Sequence, residues 1–292
     1  MHARSALFDL FGDHLRSRGG RAPVAALVRL LAPLGVTGPA VRTSISRMVR
    51  QGWLDPVRLP TGPGYALTRH ATQRLDDAAE RIYRTVEKPW DGTWHLLVLE
   101  PVPSRAARER VRSGLGFLGY AALSDSTWIG PFASAEALGL LDTEGVGHAR
   151  FTARDDDPRE RAALAWDLDA LGEAYTEWHR FAAELVADPA AHLPGDPDTA
   201  DDEGAFAVRS LLVHEWRKFL FTDPGLPAEL LPADWPGEAA ARFFADEAGR
   251  LLPAASRFVD RCLADPSVPL GSSAAATPTA PSPEPIPRRS AP

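Results

Sequence analysis

The first fifty residues place apolar side chains at helical spacing in three short segments that are separated by turn residues. Residues 5–15 form the first segment, and a second helix is predicted over residues 24–31. A third helix is predicted to begin after Thr37, which we expect to act as its N-cap, and to end near Gln51. Three short helices in succession are typical of a helix-turn-helix.

The third helix has two unlike faces. Its apolar face is expected to pack against the first two helices through Val41, Ile45, Met48 and Val49. Its polar face has no acidic residue and consists of Arg42, Thr43, Ser46, Arg47 and Arg50. Surface helices usually mix acids with bases so that they pair, and this face does not. We therefore predict that it enters the major groove of DNA, where arginine can read guanine and short hydroxyls can contact bases or phosphates.

A β-hairpin is predicted directly after this helix. Residues 53–59 and 65–68 have the composition of two strands, with a Pro- and Gly-rich tip at 60–64. A fourth helix follows the hairpin. Together these elements predict a winged helix-turn-helix domain over residues 1–86, with Arg58 as a further DNA contact.

Residues 87–156 predict a smaller mixed domain. Segments of strand or helix length occur in the order strand, helix, strand, strand, helix, strand, at 94–99, 105–118, 120–123, 127–129, 134–141 and 147–153. This is the element order of a ferredoxin-like βαββαβ domain.

From Pro158 onward the apolar pattern is helical. One long amphipathic helix is predicted to carry Leu164, Leu168, Leu171, Tyr175, Trp178 and Phe181. An acidic loop over 188–203 is expected to project into solvent, and helices are predicted at 206–221, 237–249 and 253–264. We interpret residues 157–265 as a helical dimerisation and effector domain, and the Pro-rich residues 266–292 as a disordered tail. The predicted fold class of the whole chain is α+β.

The charge is unevenly distributed along the chain. The 292 residues have a formal net charge of −7, yet residues 1–75 hold eleven arginines and three acids, a balance of +8. The remaining residues have a balance of −15. Because charges beyond about 8 Å are screened at physiological salt, the basic part can bind phosphates by itself.

Cys262 is the only cysteine, which excludes an internal disulfide and a cysteine-based zinc site and is typical of the reducing cytoplasm. No stretch approaches the ~20 apolar residues of a membrane span, and the first fifteen residues lack the features of a signal peptide. We expect a cytoplasmic protein with no membrane segment.

One cluster is a candidate for binding a small molecule. It consists of His214, Trp216, Arg217 and Lys218. Arginine can hold phosphates and tryptophan can stack on an aromatic ring, so the cluster suits an anionic, aromatic effector. The alternative is structural: Trp216 packs in the core, and Arg217 pairs with an acid such as Asp223. The residues themselves leave both interpretations open.

Signals for catalysis are weak. His214-Glu215 resembles the start of a metalloprotease motif, but Lys218 stands where the second histidine is required. Glu100 ends the first strand of the middle domain, where an aspartate binds metal in CRISPR-associated nucleases of ferredoxin-like fold. The acidic run 155–157 before a proline is typical of a solvated helix start. We therefore predict no enzymatic activity, no metal and no cofactor; a metal-dependent nuclease is the alternative.

Nine segments match one known family in the right order along residues 4–250. They are SALFDLFGD (5–13), RGG (18–20), LVRLLAPLGV (27–36), AVRTSISRMV (40–49), GWL (52–54), WDGTWH (90–95), WDL (166–168), VHEWR (213–217) and DWPG (234–237). With these segments the chain resembles the phenylacetic-acid-degradation repressor (PaaX) family of bacterial regulators. The resemblance implies a homodimeric repressor that leaves its operator when an aryl-acetyl-coenzyme A thioester binds. The hairpin tip 59–64 departs from the family, because it carries no charge where the family is usually rich in arginine, and this weakens the expectation of wing contacts.

The leading hypothesis is thus a dimeric regulator, a repressor, that binds a palindromic double-stranded operator and is released by an effector such as phenylacetyl-coenzyme A. The rival is a metal-dependent nuclease that uses the ferredoxin-like domain and is targeted by the winged helix. In a third hypothesis the acidic part is a protein-interaction module without a small effector.

Overall fold

The computed structural model of the chain describes residues 1–82, 89–195 and 197–264. We refer to residues 1–82 as the head. Its elements are α1 (Ala3–Leu10), β1 (Arg21–Pro23), α2 (Val24–Leu31), α3 (Gly38–Arg50), β2 (Leu54–Leu59), β3 (Gly62–Leu67) and α4 (Arg69–Ile82). A π-helical turn, Phe11–Leu15, continues α1 and lengthens the first helix close to its predicted end.

The N-termini of α3 and α4 are capped differently. Thr37 occupies the N-cap position of α3, as predicted, but its side chain makes no capping hydrogen bond. The Thr68 hydroxyl accepts a hydrogen bond from the Ala71 amide at 3.1 Å and donates one to the Gly52 carbonyl at 2.8 Å. Thr68 therefore fixes the start of α4 against the end of α3.

The head contains a three-stranded antiparallel sheet in the order β1-β3-β2. The hairpin tip is shorter than the predicted 60–64, because β3 already begins at Gly62 and Pro63 pairs with Arg58. The other edge of β3 pairs with β1, a strand that the sequence does not indicate. A Cβ atom on Gly64 would lie 2.6 Å from the Ala22 carbonyl oxygen, so this close pairing needs a glycine.

The middle unit contains β4 (Trp94–Leu99), α5 (Arg105–Phe117), β5 (Ala121–Ala122), β6 (Thr127–Gly130), α6 (Ala135–Thr143) and β7 (His148–Ala153). Its sheet has the order β5-β6-β4-β7, and all neighbouring strands are antiparallel. Leu97 and Trp128 on one face of the sheet pack with Val111 of α5 and Leu141 of α6 in a core of their own.

The remaining helices are α7 (Pro158–Ala165), α8 (Leu168–Ala187), α9 (Asp202–Trp216) and α10 (Pro236–Ala264). The prediction of one long helix from Pro158 is wrong. The chain is extended at Trp166, and a new helix starts at Leu168. The Asp167 carboxylate caps α8 by accepting a hydrogen bond from the Ala170 amide at 3.0 Å. Leu164, which a single amphipathic helix would place on its apolar face, is 71% exposed.

The predicted helices 237–249 and 253–264 are a single helix, α10, with Pro253 in its interior. A proline inside a helix costs about 3 kcal/mol. Beyond it, Phe258 and Val259 are almost completely buried, and each such side chain contributes about 1.5–3 kcal/mol. Burial therefore outweighs the lost hydrogen bond.

One continuous apolar core joins the head to the C-terminal helices. It includes Leu7 and Phe11 from the first helix, Trp178 of α8, Phe206 of α9 and Phe258 of α10. The acidic loop contributes Leu193 to this core, so the expectation that 188–203 projects into solvent is wrong at that residue, whereas its other described residues are exposed or half-buried. The predicted tail, 266–292, lies outside the described residues.

Candidate nucleic-acid interface and its link to the C-terminal helices

The inner face of α3 determines which of its side chains reach the surface. Val41, Ile45 and Met48 are buried, and α3 contacts α1 and α2. Val49 is half-buried and packs at the edge of the same core. Because these residues recur every three or four positions, the residues between them must face outward.

The outward face of α3 is basic and free of acids. The side chains predicted to bind DNA are all exposed: Arg42, Thr43, Ser46, Arg47 and Arg50. Among the side chains that the structure describes, no carboxylate forms an ion pair with Arg42, Arg47 or Arg50. Three guanidinium groups on one solvated helix face can therefore bind an external anion without first giving up an internal partner.

The hairpin carries one further exposed cation. Arg58 is exposed on β2, directly opposite Pro63 and next to the turn between the two strands. It can reach a phosphate only if the hairpin lies along the same nucleic acid as α3.

The four predicted effector residues lie in different environments. Nδ1 of His214 is 2.7 Å from the Asp9 carboxylate, and the Arg217 guanidinium donates to the other oxygen of the same carboxylate. Lys218 is exposed and pairs with Glu215. The ring of Trp216 is 9% exposed and stacks on Phe244 with centroids 4.7 Å apart.

Of the two interpretations left open by the sequence, the packing of Trp216 agrees with the structural one. The acid that pairs with Arg217 is Asp9, however, and Asp223 instead accepts a hydrogen bond from the hydroxyl of Tyr175. Burial and the Asp223 carboxylate both raise the pKa of Tyr175. The binding of an effector by these residues stays a prediction.

Sequence reasoning missed a second buried ion pair between the head and α9. Nη2 of Arg209 is 2.7 Å from the Asp13 carboxylate, and both side chains are less than a tenth exposed. Arg209 also donates to the carbonyl of Ala248 in α10. We call Asp9, Asp13, Arg209, His214 and Arg217 the head–body cluster, where the body is the C-terminal helical part of the chain.

His14 lies beside this cluster, with Nε2 3.1 Å from Asp13 and the ring 1% exposed. Its pKa is lowered to about 4, chiefly because burial disfavours the charged imidazolium, and Arg209 acts in the same direction. The Asp13 carboxylate opposes this shift but does not cancel it. His14 is therefore neutral at pH 7.

A cleft of about 340 Å³ lies between the head and the start of α9. Ala32 and Pro33, which follow α2, form one wall, and Pro194 and Ala207 belong to the other. Asp201 and Glu203 add carboxyl groups to the lining. Burial raises the pKa of Glu203, and Asp201 acts in the same direction. None of the predicted effector residues lines this cleft.

The middle unit carries the residue proposed for the nuclease alternative. Glu100 is exposed immediately after β4, and its amide donates to the Gly147 carbonyl at 2.7 Å. Within the part of the chain that the structure describes, no group of three or more His, Cys, Asp or Glu side chains could hold a metal ion. Among the described helices, none is both long and apolar enough to cross a membrane.

Family models match three consecutive parts of the chain. A model described as PaaX-like protein matches residues 2–71, and one described as PaaX protein central Cas2-like domain matches residues 87–165. A third, described as PaaX-like protein C-terminal domain, matches residues 166–261. The chain belongs to the PaaX family. The resemblance inferred from the sequence motifs is confirmed.

Individual proteins support the same membership. The transcriptional repressor PaaX of Escherichia coli (strain K12) is 32% identical over 267 residues, which cover 87% of this chain and 82% of that protein. The solved structure of an uncharacterized protein from Mycobacterium tuberculosis is 27% identical, with a TM-score of 0.59. That match covers 88% of this chain and 98% of the other.

Proposed function

We propose that this PaaX-family protein is a cytoplasmic transcriptional repressor that binds double-stranded operator DNA through α3. The observation that carries the proposal is the exposed face of Arg42, Arg47 and Arg50, which has hydroxyl side chains between the arginines and no acid beside them. The name of the Escherichia coli relative, a transcriptional repressor, supports the same function.

We interpret the head as a winged helix-turn-helix. The order α1, β1, α2, α3, β2, β3 provides two helices that support a third, followed by a hairpin in the position of a wing. In this interpretation α3 occupies the major groove. Thr43, Ser46 and the three arginines contact bases or phosphates, and Arg58 contacts the backbone beside the groove.

We interpret the rest of the chain as a ferredoxin-like domain over 87–156 and a helical domain over 157–265. The antiparallel strand order β5-β6-β4-β7 supports the first assignment. We further propose that the protein is a homodimer and that its operator is palindromic, since a symmetric dimer presents two identical heads to two half-sites.

The effector we propose is an aryl-acetyl-coenzyme A thioester, bound with the help of His214, Trp216, Arg217 and Lys218. The engagement of His214 and Arg217 with Asp9 adds a requirement to this proposal. The anionic groups of the effector must compete with the Asp9 carboxylate for the same two side chains. Such competition would link effector binding to the first helix of the head.

A gel-shift titration tests the function. The protein is mixed at fixed salt with DNA from upstream of its own gene and with a scrambled duplex of the same composition. Phenylacetyl-coenzyme A and free phenylacetate are then added as separate competitors. We expect retardation of the upstream DNA alone, relieved by the thioester and not by the acid. Equal retardation of both duplexes would contradict specific binding, and retardation that no thioester relieves would contradict the effector.

A metal-dependent nuclease is the second candidate, favoured by the description of the central family model as Cas2-like. Glu100 at the end of β4 would be a metal ligand in that case. The same labelled DNA, incubated with magnesium or manganese and run on a denaturing gel, separates the two candidates. A repressor leaves the strands intact, whereas cleavage that is lost in Glu100→Gln would establish the nuclease.

A further inference from the structure

Two carboxylates of the first helix point at the C-terminal helices instead of the solvent. Asp9 meets His214 and Arg217, whereas Asp13 meets Arg209. The lower-numbered acid pairs with the higher-numbered bases, so the first helix and α9 run in opposite directions along this contact. The spacing of four residues places both acids on one helical face.

The head–body cluster is desolvated. The side chains of Asp9, Asp13 and Arg209 are between 4% and 7% exposed, and those of His214 and Arg217 less than a quarter exposed. Charges in such a site persist only while both partners are present, because an unpaired buried charge is strongly unfavourable. The hydrogen-bonding geometry therefore allows few relative positions of the head and α9.

Packing around the cluster extends to the turn before α3. The apolar core of the head continues into α8, α9 and α10. At the turn between α2 and α3, a Cβ on Gly35 would lie 3.5 Å from Pro194 of the acidic loop. The C-terminal part of the chain thus contacts the head at the first helix and also at the segment that leads into α3.

We propose that the five residues of the head–body cluster are positioning residues for DNA binding. They hold the head and the C-terminal helices together as one cooperative unit. The free energy with which α3 binds the operator therefore depends on α9. This inference rests on the proposed function, because it requires that α3 binds DNA. It assigns a regulatory role to residues remote from the DNA-binding face. A signal that reaches α9 can then change DNA affinity without any contact to α3.

The first test uses the unmodified protein. Amide hydrogen exchange is measured with and without the operator fragment from the gel shift. DNA binding stabilises the folded head against unfolding. Any other segment whose amides exchange only after the head separates from the C-terminal helices is stabilised as well. We expect exchange to slow in the head and in residues 205–216 of α9, and to stay unchanged in α5. Slowing confined to residues 1–82 would overturn the proposal.

The second test uses Asp9→Asn, Arg217→Gln and the double variant. Each single change is expected to weaken specific DNA binding on the order of tenfold while leaving binding to the scrambled duplex unchanged. The double variant should recover part of that loss, because it no longer strands a charge. The matched control is Asp76→Asn, which removes the partner of Arg16 within the head at 2.8 Å and should bind DNA like the wild type.

The outcomes separate this proposal from the function on which it rests. If the wild type retards no DNA, the proposed function fails. Coupling is then judged in the free protein, where Asp9→Asn must speed exchange in the head and in α9 together. If the wild type binds its operator and the single variants bind equally well, with only a lower unfolding temperature, the cluster is purely structural.

Discussion

Arg47 on α3 and Arg209 on α9 carry the same guanidinium group in opposite surroundings. Arg47 is exposed, and over the described parts of the chain it has no ion-pair partner. Arg209 is 4% exposed and is held by the Asp13 carboxylate and the Ala248 carbonyl. The charge on Arg47 is available to an external anion, whereas the charge on Arg209 is neutralised by a carboxylate inside the molecule.

The two acids of the first helix contribute to this difference. Asp9 and Asp13 are directed inward, Asp13 toward Arg209 of α9 and Asp9 toward Arg217, which directly follows α9. Their charge is thus neutralised at the buried contact, which leaves the outer face of α3 without acidic neighbours from the first helix. The same arrangement joins the head to the C-terminal helices and keeps the α3 face positive.

The largest effect is expected for Arg209→Met. The change strands the Asp13 carboxylate in a buried site, and the free energy of unfolding should fall by about 3–5 kcal/mol. Chemical denaturation followed by tryptophan fluorescence measures this loss. Arg257→Met is the matched control, because Arg257 is 61% exposed and its partner Asp202 keeps a second arginine, Arg261. It should cost about 0–1 kcal/mol.

The double variant Asp13→Asn with Arg209→Met separates the effect of an unpaired charge from the effect of losing the ion pair. It removes both charges at once, so no ion is left unpaired, and it should be clearly more stable than Arg209→Met alone. Equal losses for Arg209→Met and Arg257→Met would show that the two arginines contribute alike, contrary to the contrast drawn from their burial.

The next effect concerns pH, through His14. Its pKa of about 4 in the folded chain lies below the ordinary value of 6.5, so between these values mainly the unfolded chain binds the proton. The contribution of His14 to the free energy of unfolding is therefore fully present above pH 6.5. It is lost as the pH drops toward 4, by up to about 3 kcal/mol. Denaturation curves at several pH values should show a shallower fall for His14→Gln. An identical slope in both proteins would contradict a buried neutral imidazole.

The parts of the fold that follow local rules could be predicted. The predicted helix at 24–31 is α2, and the strand at 94–99 is β4, because their patterns are contained in a few neighbouring residues. The short strand β1 depends on pairing with β3, some forty residues away, and gives no local signal. Pro253 inside α10 is likewise tolerated because of tertiary burial, which a helix-breaking rule does not include.

The same division applies to the sites. The exposed arginines of α3 were evident from helical spacing and from the lack of acids, which are local properties. The pair of Asp13 with Arg209 joins residues 196 positions apart, so its partner could not be identified from the sequence. The available signal was weaker: Asp9 and Asp13 lie four residues apart on a predicted helix that also carries Leu7, Leu10, Phe11 and Leu15. Two acids in that place need cations from elsewhere.

The smallest of the three effects is expected for Arg47→Ala, and it should appear in DNA binding instead of stability. If Arg47 contacts a base edge, specific affinity falls by about 1–3 kcal/mol at fixed salt. The free energy of unfolding should change by less than about 0.5 kcal/mol, because an exposed side chain without a partner contributes little to the fold. Operator titrations and denaturation curves on the same preparation measure both quantities.

Arg112→Ala is the matched control for Arg47→Ala, because it removes an exposed arginine from α5 in the middle unit. It should leave operator affinity unchanged. If Arg47→Ala weakens the operator and the scrambled duplex equally, Arg47 contacts phosphate and not a base, and the dependence of affinity on salt should become less steep by about one ion. If neither affinity changes, the outward face of α3 does not bind DNA, and exposure alone does not distinguish Arg47 from any other surface arginine.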